Sequence, residues 1–158
     1  MHRKKGFTLI ELVVVIGLIA LLATIVLSNL NGSRTKSRDV QRVSDINQIQ
    51  KALQLYVTNI GKFPAELDLT TNPTFMALYP GSLKDPLGVS YKYVPLGGSG
   101  ACTGYHLGAV LEEPGTKFLS GDIDAAASSN TCAGTDFTGA STDCASGVGA
   151  DLCYDVKQ

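Results

Sequence analysis

The chain opens with an unbroken apolar block. Residues 7–27 read FTLIELVVVIGLIALLATIVL, 21 residues in which Glu11 is the only formal charge. As a helix rising about 1.5 Å per residue, this block covers roughly 30 Å, the hydrocarbon thickness of a bilayer. Further on, Val40, Val43, Ile46, Ile49, Leu53, Tyr56, Val57 and Ile60 recur at steps of three and four. That spacing marks one face of an amphipathic helix and predicts residues 28–60 as a continuation of the first helix. The join at Ser28–Ser33 is weak, because poor helix formers gather there and Gly32 costs about 1 kcal/mol relative to Ala. Gly61 and Pro64 should end the helix. Residues 61–88 hold Asn72-Pro73, Tyr79-Pro80-Gly81 and Asp85-Pro86-Leu87-Gly88, and read as loop with one helical turn over 74–78. Three segments then alternate with period two: Val89-Tyr91-Tyr93, Tyr105-Leu107-Ala109-Leu111 and Leu152-Tyr154-Val156. Each predicts a strand with one apolar face. A small antiparallel sheet laid on the amphipathic helix would bury both surfaces, giving an α+β domain over 61–158. Residues 115–149, rich in Ser, Thr, Ala, Gly and Asp, read as a long surface loop, and a loop of that length is functional or disordered.

Length and charge narrow this further. At 158 residues the chain is long enough for one ordinary domain, and its 44% apolar content excludes disorder throughout. The net charge of −1 hides an asymmetry: residues 1–51 carry a net +5 and residues 52–158 a net −6. The basic run Arg34–Arg42 reads as a solvated juxtamembrane face, so nucleic acid is not expected as a specific ligand. A secretory signal peptide has an apolar region of about 7–15 residues and a small-x-small cleavage site. This block is longer, and Leu27-Ser28-Asn29 offers no such site, so it reads as an anchor. Glu11 needs explaining, because a carboxylate in a membrane helix is expensive and normally marks function. Its place in the first turn, at the positive end of the helix dipole, explains tolerance alone.

The basic head MHRKKG, the run Lys5-Gly6-Phe7-Thr8-Leu9-Ile10-Glu11-Leu12 and the apolar helix behind it resemble the class III leader of type IV pilins and type II secretion pseudopilins. The resemblance implies that residues 1–6 are a cytoplasmic leader, cut by a prepilin peptidase at Gly6–Phe7, and that Phe7 is then N-methylated. It implies one pass through the inner or cell membrane, with residues 28–158 outside the cytoplasm. Assembly would pack the apolar helices into a filament core, periplasmic or extracellular, beneath a coat of external domains. Its implied partners are other copies of the chain, the bilayer, a membrane assembly platform and a cytoplasmic ATPase. Glu11 would pair with the N-terminal amine of a neighbouring subunit. Two opposite charges in a low-dielectric bundle are costly alone and attract when paired, so Glu11 acts as a register device. Asp45-Ile46-x-x-Ile49-x-x-Ala52-Leu53-x-x-Tyr56, Gly61-Lys62-Phe63-Pro64 and Asp85-Pro86-x-Gly88-x-x-Tyr91-x-Tyr93 resemble the major pseudopilin of type II secretion. That group commonly has Trp where this chain has Leu87, and many family members have Pro near Ser28. The first reading is a type IV pilus-like filament subunit, favoured by the Cys-rich tail. The alternative is a type II secretion pseudopilin, and a third reading is an anchored surface binding module using residues 115–149.

All four cysteines (Cys102, Cys132, Cys144 and Cys153) fall beyond the apolar block. An even count in an oxidising compartment reads as two disulfides with three possible connectivities. Pairing chain neighbours, Cys102–Cys132 and Cys144–Cys153, closes the smaller loops and is preferred; each bond is worth about 2–4 kcal/mol. Their spacing, without Cys-x-x-Cys, does not suit zinc. Asp122 and Asp124, with Asp136, are candidate calcium ligands, and the resemblance adds that pseudopilins often bind calcium in the C-terminal loop. No complete EF-hand loop occurs, and solvated loop acids are the plain alternative. No catalytic set is evident. His2 would leave with the leader, His106 reads as a structural strand residue, and Gly97-Gly98-Ser99-Gly100 lacks the Lys-Ser/Thr of a phosphate loop. The chain therefore reads as a structural protein rather than an enzyme.

Overall fold

A computed structural model describes residues 7–67, 72–79, 81–98, 101–141, 144 and 150–158, with the backbone alone for 25–31 and 76. Residues 1–6, expected to be a leader and including Gly6, lie outside the described residues. The elements are α1 (Leu9–Ile60), α2 (Pro73–Leu78), β1 (Lys92–Leu96), β2 (Gly104–Val110) and β3 (Cys153–Lys157). The chain divides into two compact units, Met1–Thr35 and Lys36–Gln158.

In the first unit α1 begins at the Thr-Leu-Ile-Glu sequence and exposes its apolar side chains from Leu9 to Leu22. Helix persists through Ser28–Ser33 where a weak point was expected. Local propensity costs of this size are small against the cooperativity of a long helix, which loses two turns of bonding if it breaks in the middle. Among the described residues no helix is long and apolar enough to cross a membrane, the described side chains of the apolar run stopping at Thr24.

In the second unit the helical periodicity is realised as packing. Ile46, Ile49, Ala52 and Leu53 of α1 join Phe63, Phe75, Tyr105, Leu107, Ala109 and Val156 in the main core. α1 stops at Gly61, which adopts φ +82° and donates its N–H to the Val57 carbonyl. α2 has Asn72 as its N-cap, whose Oδ1 accepts from the Phe75 N–H, and Pro73 in its first turn. This turn delivers Phe75 into the core beside Tyr56 and Tyr79.

The sheet is antiparallel in the order β1-β2-β3, with Tyr93 opposite Leu107 and Leu107 opposite Val156. β1 begins at Lys92 rather than at Val89. Residues 85–89 are instead wound around Asp85, whose Oδ1 accepts from the N–H groups of Leu87 and Val89. β2 also departs from the expected single apolar face: from Gly104 to Ala109 every residue is buried. One face lies on α1, and the tail covers the other. On that second face Phe137 and Cys144 pack with Val94, Leu96 and Cys153, while Leu119 joins Val43 of α1 and Leu111 on the helix side. The segment expected to be a surface loop therefore supplies a second layer. Gly108 makes the close approach possible, since a Cβ there would sit 2.9 Å from the Phe137 ring. Two disulfides, Cys102–Cys132 and Cys144–Cys153, tie that layer to the sheet.

Candidate functional site

The N-terminal motif is a capping box. Thr8 precedes the first turn of α1; its N–H and its Oγ1–H both donate to Glu11 Oε2, at 2.9 and 2.6 Å. In return the Glu11 N–H donates to Thr8 Oγ1 at 3.3 Å. This reciprocal pair satisfies donors that a helix start otherwise leaves open. Glu11 is thus held by its own chain, beside a fully presented Phe7 that is 90% exposed. Sequence reasoning singled out Glu11 and passed over Thr8, although the Thr-x-x-Glu spacing was the signal.

A second constellation joins α1 to the sheet. Arg42 is 2% exposed, and donates through Nε and Nη2 to Asp85 Oδ2 at 2.9 and 2.6 Å. Its Nη1 donates to Asp39 Oδ1 and to Glu112 Oε1, each at 2.7 Å. Arg38 forks onto the same Glu112 carboxylate. Asp39 also accepts the backbone N–H groups of Glu112 and Glu113. The Arg38 and Arg42 guanidiniums hold the Glu112 carboxyl down at about 2 against the cost of burial. Burial raises the Asp85 carboxyl, but Arg42 and the Val89 and Leu87 N–H groups prevail and leave it below the ordinary value. The basic run expected to be a solvated face is therefore turned inward at Arg38 and Arg42. A carboxylate set contributed from positions 39, 85 and 112 cannot be read from spacing in the run itself.

The third constellation lies in the tail. Carboxylate oxygens of Asp122, Asp124 and Asp155 lie within 4.8 Å of one another. Asp136, grouped with Asp122 and Asp124 from sequence, sits elsewhere: its Oδ1 is 2.7 Å from His106 Nδ1. Asp155 takes its place, and is fully buried on β3. Both oxygens of Asp122 are buried without a hydrogen-bond partner. Burial first, then the Asp124 and Asp151 carboxylates, push the Asp122 carboxyl up to about 7. The Asp155 N–H lowers that value in part, but lies outside hydrogen-bonding geometry. Asp124 adopts φ +50°, a left-handed conformation uncommon for a residue with a side chain. An all-oxygen donor set with orphaned, buried carboxylate oxygens fits a hard divalent cation such as calcium. Asp155 was missed because it lies 31 residues beyond Asp124, brought back only by the β2–β3 pairing.

The leader and helix agree with comparison to known proteins. The prokaryotic N-terminal methylation motif matches residues 1–27. The type II secretion system core protein G of Vibrio cholerae is 32% identical over 127 residues, 73% of this chain and 87% of the relative. The chain belongs to the superfamily of type II secretion pseudopilins and type IV pilins. Core protein G of Pectobacterium carotovorum is also 32% identical, covering 68% of this chain and 77% of that protein. The type IV wide pilus major component PilA4 of Thermus thermophilus is 39% identical over 56 residues, 35% of this chain and 43% of that protein. No solved structure matches the chain. A helix followed by a three-stranded antiparallel sheet and two disulfides is the pilin-like layout. Filament subunits made from an N-terminally processed precursor are what these relatives imply.

Proposed function

We propose that this pseudopilin-like chain is the major subunit of a type II secretion pseudopilus. What supports the reading is the reach of its similarity: core protein G of Vibrio cholerae is matched over 87% of its length, the wide-pilus component over 43%. This reverses the order in which the cysteine-rich tail alone ranks the pilus and pseudopilus. In this reading a prepilin peptidase cuts Gly6–Phe7 and methylates Phe7, and residues 7–27 store the subunit in the membrane. Assembly partners are further copies of the chain, a membrane platform and a cytoplasmic ATPase; the chain itself is structural rather than catalytic.

Glu11 gives assembly its register. In the free subunit Thr8 donates two hydrogen bonds to Glu11 Oε2, which lower the cost of holding the carboxylate but leave its charge unpaired. When a neighbour's freed amine approaches, Glu11 gains a full counter-charge while Thr8 can keep one hydrogen bond. A subunit out of register offers no such amine. Glu11→Ala should leave processing intact, with a mature chain beginning at methylated Phe7 by mass spectrometry, but no filaments in shear fractions. Filaments formed at normal yield by that variant would refute the role. Deleting the gene should stop export of type II cargo and leave twitching unchanged; the opposite phenotype assigns the chain to a pilus.

We further propose that Asp122, Asp124 and Asp155 hold a divalent cation, calcium by the chemistry of the donors. The orphaned Asp122 oxygens support it. Bound there, the ion supplies the counter-charge that these carboxylates lack, and Asp122→Asn should abolish calcium binding with little cost to the ion-free fold.

A further inference from the structure

The tail carboxylates do not stand alone. Asp155 Oδ2 lies 2.7 Å from His106 Nε2, and Asp136 Oδ1 lies 2.7 Å from His106 Nδ1. All three side chains are closed to solvent. The ring stacks on Phe137, centroids 3.8 Å apart, which fixes its plane. Asp136 is in turn fixed, its Oδ1 by the Phe137 N–H and its Oδ2 by the Ser128 N–H and Lys157 Nζ.

Asp155 does two things for the cluster. It contributes its own oxygen, and it holds the segment that carries a second ligand: Oδ1 accepts from the Asp124 N–H and Oδ2 from the Ala125 N–H, both at 3.0 Å. Rotation of this carboxylate would move one ligand and release the backbone of another. Against such rotation stand the two amides, Gly139 (where a Cβ would overlap the carboxylate) and His106 Nε2. Of these only His106 is anchored to another strand.

We propose that His106 is a positioning residue for the cation site, fixing the Asp155 carboxylate through Nε2, with Asp136 holding the ring from behind. The inference rests on the cation reading above. Metal-ligating carboxylates are commonly oriented by such outer partners, whose loss costs roughly 10–100-fold in affinity.

The test uses the full-length chain in detergent micelles, titrated calorimetrically with calcium alone. His106→Gln keeps an N–H at about the Nε2 position, facing Asp155. His106→Asn can place one only near Nδ1, facing Asp136. Both lose the ring and its stacking on Phe137, so general destabilisation affects them alike. The proposal expects His106→Gln to bind calcium within a few-fold of the parent, and His106→Asn to bind about 10–100-fold more weakly. Equal affinities in the two variants, whether retained or lost, would overturn it. If either variant fails to form both disulfides, Asp136→Asn replaces the pair, and affinity unchanged from the parent overturns the proposal. A parent chain with no calcium binding removes the cation reading itself, and this inference with it. Asp122→Asn tells the two failures apart: it abolishes binding wherever the site is real, whatever His106 contributes.

Discussion

Removing Arg42 should cost the second unit, Lys36–Gln158, a large part of its stability. Arg42 makes four N–H···O contacts of 2.6–2.9 Å to Asp85, Asp39 and Glu112, from a side chain only 2% open to solvent. Charged hydrogen bonds are worth about 1.5–3 kcal/mol each, so a plain sum would reach about 6–12 kcal/mol. That sum is too large, because the acceptors keep other donors. Glu112 retains Arg38, Asp39 retains two backbone amides, and Asp85 retains the Leu87 and Val89 amides. What remains is the cost of leaving Asp39 and Asp85 buried without a cation, about 3–5 kcal/mol for a broken buried pair. Against a typical stability of about 5–15 kcal/mol, Arg42→Ala should bring the unit near its unfolding threshold. Arg42→Lys should lose less, since one ammonium restores charge but cannot fork between three carboxylates on three segments. Urea denaturation of the oxidised full-length chain in micelles, followed by tyrosine fluorescence, measures both. A loss below about 1 kcal/mol for Arg42→Ala would refute the reasoning, because the carboxylates would then have to be hydrated in place.

Acid should expose the same network. Glu112 is held at about 2 rather than its ordinary value, so its contribution is present above about pH 4.5 and is lost as pH falls toward 2. With 26% of that side chain open to water, the contribution is about 1–2 kcal/mol after screening, and Glu112→Gln should flatten the acid limb of a stability–pH curve. Gly139→Ala should abolish calcium binding and cost about 1–3 kcal/mol, since its methyl would overlap the Asp155 carboxylate; a calorimetric titration and a melt check both. The disulfides should differ in worth. Cys102–Cys132 closes a separation of 30 and Cys144–Cys153 one of 9, which by chain entropy gives roughly 3.7 and 2.6 kcal/mol. Paired Cys→Ala variants compared by urea midpoint should preserve that order.

The parts of this molecule set by local pattern were legible, and those set by distant meetings were not. Steps of three and four residues from Val43 to Tyr56 placed the buried helical face, and period-two alternation placed β2 and β3 within a residue or two. β1 slipped because Val89 looks like a strand residue by alternation, yet its amide is captured by Asp85. The tail is loop as its pattern indicated, with no helix or strand among its described residues, but its anchoring to the sheet was not legible. Its few large apolar residues suggested a loop, while Leu119, Ala125 and Phe137 were enough to anchor it once Asp136 and Asp155 supplied hydrogen bonds. His106 was read as structural, but no spacing could show that it stands between carboxylates 30 and 49 residues away. The N-terminal motif was legible as a family signature, and its Thr-x-x-Glu spacing also carried the pairing of Thr8 with Glu11, which was passed over.

A tail so poor in apolar side chains still adopts one position on the sheet, and apolar contact alone is too undirected to choose that position. The directed contacts are polar. Asp136 requires the amides of Ser128 and Phe137, and Asp155 requires those of Asp124 and Ala125, while both require His106. Sliding the tail by one residue would leave two buried carboxylates short of donors at once, each at a cost of about 1–3 kcal/mol or more. Apolar partners such as Phe137 would tolerate the same slide with little loss. This buried polar network therefore acts on specificity more than on net stability, since buried polar and ionic groups often break even against apolar replacements. Replacing His106, Asp136 and Asp155 together by apolar residues of similar volume should then leave the unfolding midpoint little changed while broadening the amide resonances of residues 122–141. Sharp resonances in that triple variant would mean that the disulfides and Phe137 alone dictate where the tail lies.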